Sequence, residues 1–146
     1  MLKNIILLLR PHQWVKNMFC FIPLFFGRHL FDAEYVLPCC FAFMAYCLAA
    51  SGIYCFNDIY DAEADKQHPV KCKRPIASGA VGKPLAYIIM AGCFIAAFGI
   101  ALAGQMYLGT SMMPVFAIIA FYIVLNIAYC IHLKHIAIVD VFIIAV

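Results

Sequence analysis

Long apolar runs separated by short polar intervals dominate this 146-residue chain. A membrane helix needs about 20 largely apolar residues. The first candidate, about Asn17 to Phe31, is short and contains Pro23 and Gly27. The second, Val36 to Asn57, is clear, and a polar interval from Asp58 to Lys83 follows it. The third runs from about Pro84 to Gly104. An uncharged turn, Gln105 to Met113, leads to the fourth, Pro114 to Ile131. His132, Lys134 and His135 break the pattern, and a fifth apolar run extends from Ile136 to Val146. That run is too short to cross about 30 Å of hydrocarbon. It also holds Asp140, and a carboxylate inside a membrane faces a partner or a wet cavity. The pattern predicts an all-α polytopic transmembrane bundle with four complete membrane helices and the start of a fifth. Residues 1–146 read as a single domain, to be completed by further helices of this or another chain. Residues 1–16 read as an interfacial amphipathic segment leading to Pro11. In that reading Lys3, Arg10, His12 and Lys16 face headgroups, and Trp14 joins the interfacial aromatic belt.

Composition strengthens this reading. Apolar residues make up 67% of the chain and charged residues 12%, against about 25% charged in a typical soluble domain. Lipid is the expected solvent. A net charge of +3 with no basic solvated face excludes nucleic acid as a partner. The eight cysteines show no C-x-x-C pair and no zinc spacing, so they read as small packing residues. The N-terminus has no cleavage signal of the secretory kind. Lys3, Arg10 and Lys16 precede the first span; Lys66, Lys71, Lys73, Arg74 and Lys83 follow the second; Lys134 follows the fourth. Alternating loops place all of them on one side, with only Arg28 opposite. By the positive-inside rule, the N-terminus and the loop 58–83 are cytoplasmic in a multi-pass protein of the cell (inner or plasma) membrane.

Four of the seven acidic residues fall between Asp58 and Asp65. If the second helix continues through them, Asn57, Asp61, Asp65 and Asp58 fall within about 100° of one another at 100° per residue. Glu63 points away. Crowded carboxylates repel unless a cation compensates. Hard oxygens on one face suit magnesium, held by Asp58, Asp61 and Asp65 together with substrate phosphates. Lys71, Lys73 and Arg74 downstream suit the phosphate oxygens. The competing reading is a solvated helix end whose acids simply pair with those bases. A calcium-loop spacing is absent. Tyr54 and Ser51, about one and two turns earlier, read as cavity lining or helix packing. Lys16 reads equally as a phosphate contact or a snorkelling lysine, and His12 and His68 as loop or interfacial histidines. Tyr129 and Asn126 could face the cavity, and Asn126 reads as a helix–helix hydrogen bond.

The motif Asn57-Asp58-x-x-Asp61-x-x-x-Asp65, followed by Arg74-Pro-Ile-Ala-Ser-Gly79, resembles the UbiA superfamily of membrane prenyltransferases. The resemblance implies the N-terminal half of a bundle of about nine helices, with a second polar motif in a later loop. It also implies that the aspartates bind a substrate diphosphate through magnesium. The runs Leu9 to Asn17, His68 to Pro75 and Leu133 to Ile136, together with Asp140, resemble the decaprenyl-phosphate phosphoribosyltransferase branch. That branch implies transfer of a 5-phosphoribosyl group from phosphoribosyl pyrophosphate to a polyprenyl phosphate. It places Asp58 and Asp61 at the catalytic centre, and Lys16, Tyr54, Asn57, Lys71 and Arg74 at the substrates. The alternatives are prenyl transfer from a prenyl diphosphate to an aromatic acceptor, and a non-catalytic membrane fragment or partner subunit. A cation channel would instead need carboxylates at mid-membrane depth. Self-association into a homo-oligomer is left open.

Overall fold

A computed structural model describes residues 1–131. The break at His132 to His135, the run from Ile136, and Asp140 lie outside the described residues. Among the described residues every regular element is helical. Helix α1 spans Leu2–Leu9, a 3-10 segment spans Pro11–Phe21, and α2 spans Ile22–Phe26. Then come α3 (Ala33–Tyr60), α4 (Ala62–Gln67), a 3-10 turn (Lys71–Lys73), α5 (Lys83–Leu108) and α6 (Met113–Ile131).

Helices α3, α5 and α6 are long and apolar enough to cross a membrane. They coincide with the second, third and fourth candidate spans. At 1.5 Å per residue α3 is about 42 Å long, longer than the roughly 30 Å hydrocarbon core. It is therefore long enough for an end to extend past the hydrocarbon, and the acidic motif lies at its carboxyl end. Pro84 in the first turn starts α5, and Gly109 ends it in the left-handed conformation at φ 65°.

The first candidate span is not one α-helix. Residues 11–21 form a 3-10 stretch that gives way at Ile22-Pro23 to the five residues of α2, and Gly27 closes it. Pro23 has no amide hydrogen to continue a helical ladder. The stretch nonetheless runs antiparallel to α3. Trp14 meets Ser51, Asn17 meets Cys47, and the Phe21 ring lies 5.4 Å from that of Phe43. At about 2.0 Å per 3-10 residue and 1.5 Å per α residue, residues 11–26 extend about 30 Å. Among the described residues three helices, rather than the expected four, are thus long and apolar enough to cross a membrane.

Small residues let α3 and α5 approach closely. Ala45 and Ala49 of α3 pack with Ala97 and Ala101 of α5, and Ile119 of α6 joins them. Gly52 lies under the Phe94 ring, and Gly104 lies against Phe41. This is the small-residue packing that membrane helices use where burial of apolar surface drives little. A second cluster closes the motif end: Leu8 of α1, Cys55 and Ile59 of α3, Ala62 of α4, Ile76 and Val81 of the loop, and Ala86 of α5. It anchors the loop that carries the basic residues. All eight cysteines are free, and Cys47, Cys55, Cys93 and Cys130 are buried, in keeping with a packing role. Asn126 donates to the Tyr122 carbonyl within α6 at 2.9 Å, so its partner is in its own helix rather than a neighbour.

Candidate functional site

The acidic motif is nearly continuous helix. Helix α3 stops at Tyr60, Asp61 takes φ −87° and ψ 3°, and α4 resumes at Ala62. The Asp65 amide still donates to the Asp61 carbonyl at 2.8 Å, so the facing of the motif is kept across the break. Asp58 and Asp65 project to a common partner. The Arg74 Nη1 donates to Asp58 Oδ1 at 3.1 Å and to Asp65 Oδ2 at 2.7 Å. Glu63 points outward, where Lys66 and Lys83 bind it at 2.9 and 3.2 Å. Those ammonium groups hold its carboxyl below the usual value, chiefly through the Lys66 hydrogen bond.

The acids do pair with the downstream bases, yet this is not a solvated helix end. Asp58 is 1% exposed and Asp65 3%. Charges this buried are costly unless each is paired and hydrogen-bonded. One atom is left over: Asp58 Oδ2 is buried with no hydrogen-bond partner among the described residues.

The loop that delivers Arg74 is shaped locally. The Ser78 amide donates to the Arg74 carbonyl at 2.9 Å and the Val81 amide to that of Pro75 at 2.8 Å. Gly79 takes φ 77°, a conformation with little steric cost only for glycine. Pro75, Ile76 and Ala77 are buried. His68 Nδ1 accepts the amides of Val70 and Lys71, which makes it a loop-shaping histidine.

Beside Asp58 opens a pocket of about 350 Å³ lined by Arg10, His12, Lys71, Lys73 and Arg74. Four cationic side chains and one carboxylate, Asp58, line it, so the pocket carries a surplus of positive charge that suits an anion. Of the residues expected at the substrates, Lys71 and Arg74 line it. Tyr54 lies one turn below, its ring 5.1 Å under the Arg10 guanidinium. Asn57 Oδ1 accepts the Cys130 thiol at 3.0 Å, which ties the motif to α6. Asp61 is half-buried at the helix break. Lys16 is placed elsewhere. It lines a mostly apolar cavity of about 600 Å³ with Asn17, Phe19, Tyr46 and Ile119, roughly 16 Å down α3 from Asp58 by the helical rise.

Arg10 is the residue that sequence reasoning set aside, as a headgroup contact. Its Nη2 donates to Asp58 Oδ1 at 2.6 Å, the shortest ion pair at the site. Its cue in the sequence was a cation directly before Pro11 at the membrane boundary. Nothing in the periodicity relates residue 10 to residue 58. Ser51 takes the packing role of its two expected ones: the Trp14 Nε1, read as part of the aromatic belt, donates to its hydroxyl at 3.0 Å.

The aspartates supply hard oxygens of the kind a divalent ion takes, and the orphaned Asp58 Oδ2 is one such oxygen. Among the described residues, no three His, Cys, Asp or Glu side chains are gathered closely enough to hold an ion. The Arg74 guanidinium stands between Asp58 and Asp65 instead. The aspartates thus offer the right kind of oxygen, while in this arrangement Arg74 rather than an ion bridges Asp58 and Asp65.

Residues 18–146 match the UbiA prenyltransferase family. The chain is 36% identical over 135 residues to the decaprenyl-phosphate phosphoribosyltransferase of Corynebacterium glutamicum, covering 91% of this chain and 39% of that protein. To the protein of that name from Mycolicibacterium smegmatis it is 36% identical over 149 residues, covering 99% of this chain and 45% of the relative. To the nodulation protein NoeC of Azorhizobium caulinodans it is 35% identical over 139 residues, covering 93% and 42%. The chain spans less than half the length of each of these relatives.

Proposed function

The chain belongs to the UbiA prenyltransferase family, and on that premise we propose that it carries the diphosphate-binding half of a magnesium-dependent phosphoribosyltransferase. The donor is phosphoribosyl pyrophosphate and the acceptor a polyprenyl phosphate such as decaprenyl phosphate. The observation that carries this reading is the cationic pocket set directly against a buried aspartate pair. The names and identities of the two phosphoribosyltransferase relatives support the choice of donor. Members of the family generally work with a divalent metal.

In this reading Lys71, Lys73 and Arg74 bind the diphosphate oxygens, with Arg74 offering the planar fork suited to phosphate. Asp58, Asp61 and Asp65 would hold magnesium, and a bound ion would supply charge neutralisation for the leaving diphosphate. Asn57 orients a phosphate from the first position of the motif, and Tyr54 supports the cationic wall from below. An oxygen of the lipid phosphate bonds to the anomeric carbon of the ribose as that carbon's bond to pyrophosphate breaks. The lipid phosphate is already anionic at neutral pH, so no general base is required. Rate enhancement comes from positioning and charge stabilisation. The apolar cavity beside Lys16 suits an isoprenoid tail lying in the membrane. The motif loop faces the cytoplasm in the cell membrane, where a soluble phosphoribosyl donor is available.

The test uses the whole gene product in native membranes, offered radiolabelled phosphoribosyl pyrophosphate or a radiolabelled prenyl diphosphate. Label transferred to a polyprenyl phosphate from the first donor supports the proposal. Label transferred only from the prenyl diphosphate, to an aromatic acceptor, replaces it with prenyl transfer.

A further inference from the structure

We propose that Arg10 is a diphosphate-contacting residue of this site, set in place by the Ser51 hydroxyl. The inference rests on the diphosphate reading above and adds to it a residue from outside the aspartate motif and its basic loop.

The backbone gives the first reason. Arg10 sits at φ 51° and ψ 52°, the left-handed region that non-glycine residues seldom enter. Such a conformation persists only where surrounding contacts over-determine it, and it concentrates at functional positions. Here the contacts are visible. The Ser51 hydroxyl donates to the Leu9 carbonyl at 2.8 Å and accepts the Trp14 Nε1 hydrogen at 3.0 Å. One fully buried side chain of α3 thus staples the chain on both sides of Arg10. Leu8, also fully buried, locks the turn before it.

The side chain gives the second reason. The guanidinium spans from the face of Tyr54 to Asp58 Oδ1 and lines the cationic pocket opposite Lys71, Lys73 and Arg74. It is the only one of these four cations that comes from outside the 71–74 loop. Asp58 Oδ1 already accepts from Arg74, so two guanidiniums share one carboxylate oxygen while Oδ2 has no partner among the described residues. Asp58 can therefore release Arg10 to an incoming phosphate and remain paired. Arginine, with several donors in one plane, can keep one contact while making another. Arg10 acts as a clamp that rests on Asp58 and closes on the diphosphate from the N-terminal side. Ser51 and Trp14 are positioning residues that act through it.

The test takes the full chain in lipid nanodiscs with inorganic pyrophosphate and magnesium. Binding is read with labelled pyrophosphate and with the emission of Trp14, the chain's single tryptophan. Pyrophosphate should shift that emission in the wild type. Arg10→Gln should weaken pyrophosphate binding about tenfold or more, the loss of a charge-assisted hydrogen bond. Arg10→Lys should recover part of the loss, and Ser51→Ala should weaken binding with the charge of the pocket intact. Arg10→Gln that binds as tightly as wild type overturns the inference. So does a wild type that binds pyrophosphate with no change in Trp14 emission, a result that needs no variant to fold. A wild type that binds neither pyrophosphate nor phosphoribosyl pyrophosphate removes the diphosphate reading itself.

Discussion

At the scale of single residues, the site is a problem of buried charge. Asp58 and Asp65 are tolerable in the interior only because Arg74 joins them and Arg10 adds a second cation. Truncating one partner of a buried pair leaves the other uncompensated, a loss of about 3 kcal/mol or more. Arg74 is 26% exposed, so solvent recovers part of that, and Arg74→Gln should cost about 2 kcal/mol. A thermal midpoint in detergent checks the value. Arg74→Lys should keep most of the stability but lose phosphate affinity, because an ammonium cannot reach both carboxylates and a phosphate as a fork does. Asp58→Asn keeps the shape and removes the charge, and it should abolish magnesium-dependent transfer in the whole gene product; turnover within a factor of two of wild type excludes Asp58 from the metal role. Which residues would meet at this site was only partly readable in the chain. The spacing of the aspartates put Asp58 and Asp65 on one face, and Arg74 on it is consistent with a basic loop following an acidic helix. Arg10 rather than Lys16 lies beside Asp58, because only the path of the 3-10 segment along α3 decides which cation ends level with it.

At the scale of elements, small residues set how closely α3 and α5 approach. A Cβ at Gly52 would lie 2.4 Å from a ring carbon of Phe94, so Gly52→Val forces that ring or the helix aside. Overpacking of this kind costs about 1–3 kcal/mol. Thermal unfolding should show the loss, with Gly52→Ala less affected than Gly52→Val. The α4–α5 junction has its own titration. Glu63 is held below its ordinary value of 4.5 by Lys66 and Lys83. A depressed carboxylate stabilises the folded state at and above its ordinary value and loses that contribution as pH falls through the lower folded value. Glu63→Gln should therefore be less stable than wild type at neutral pH, and the two should converge as pH drops below about 4.5. Melting curves taken across that range decide it. Apolar run length and flanking Pro and Gly were enough to locate α3, α5 and α6. They could not reveal the 3-10 geometry of residues 11–21, because Pro23 and Gly27 say where an α-helix fails and not what replaces it.

At the scale of the whole molecule, the bond between Arg10 and Asp58 places the N-terminal segment and the motif loop at one end of α3. That agrees with the one-sided distribution of basic residues along the chain. Single cysteines placed at Lys3 and Lys73 in a cysteine-free background should be labelled from the cytoplasmic side. A cysteine at Tyr107 should be labelled only from the opposite side. Labelling of Lys3 and Lys73 positions from different sides would break the antiparallel pairing of the first stretch with α3. The site lies at the carboxyl end of α3, a helix longer than the hydrocarbon is thick, and in the proposed function a soluble anionic donor and a membrane-held acceptor would meet there. The central claim is that this end of the bundle takes the diphosphate of phosphoribosyl pyrophosphate. Equilibrium binding of labelled phosphoribosyl pyrophosphate to the chain in nanodiscs, with and without magnesium, tests it most directly. Saturable, magnesium-dependent binding that is lost in Asp58→Asn is the predicted result. A prenyl diphosphate that binds while phosphoribosyl pyrophosphate does not, or binding indifferent to Asp58, would contradict it.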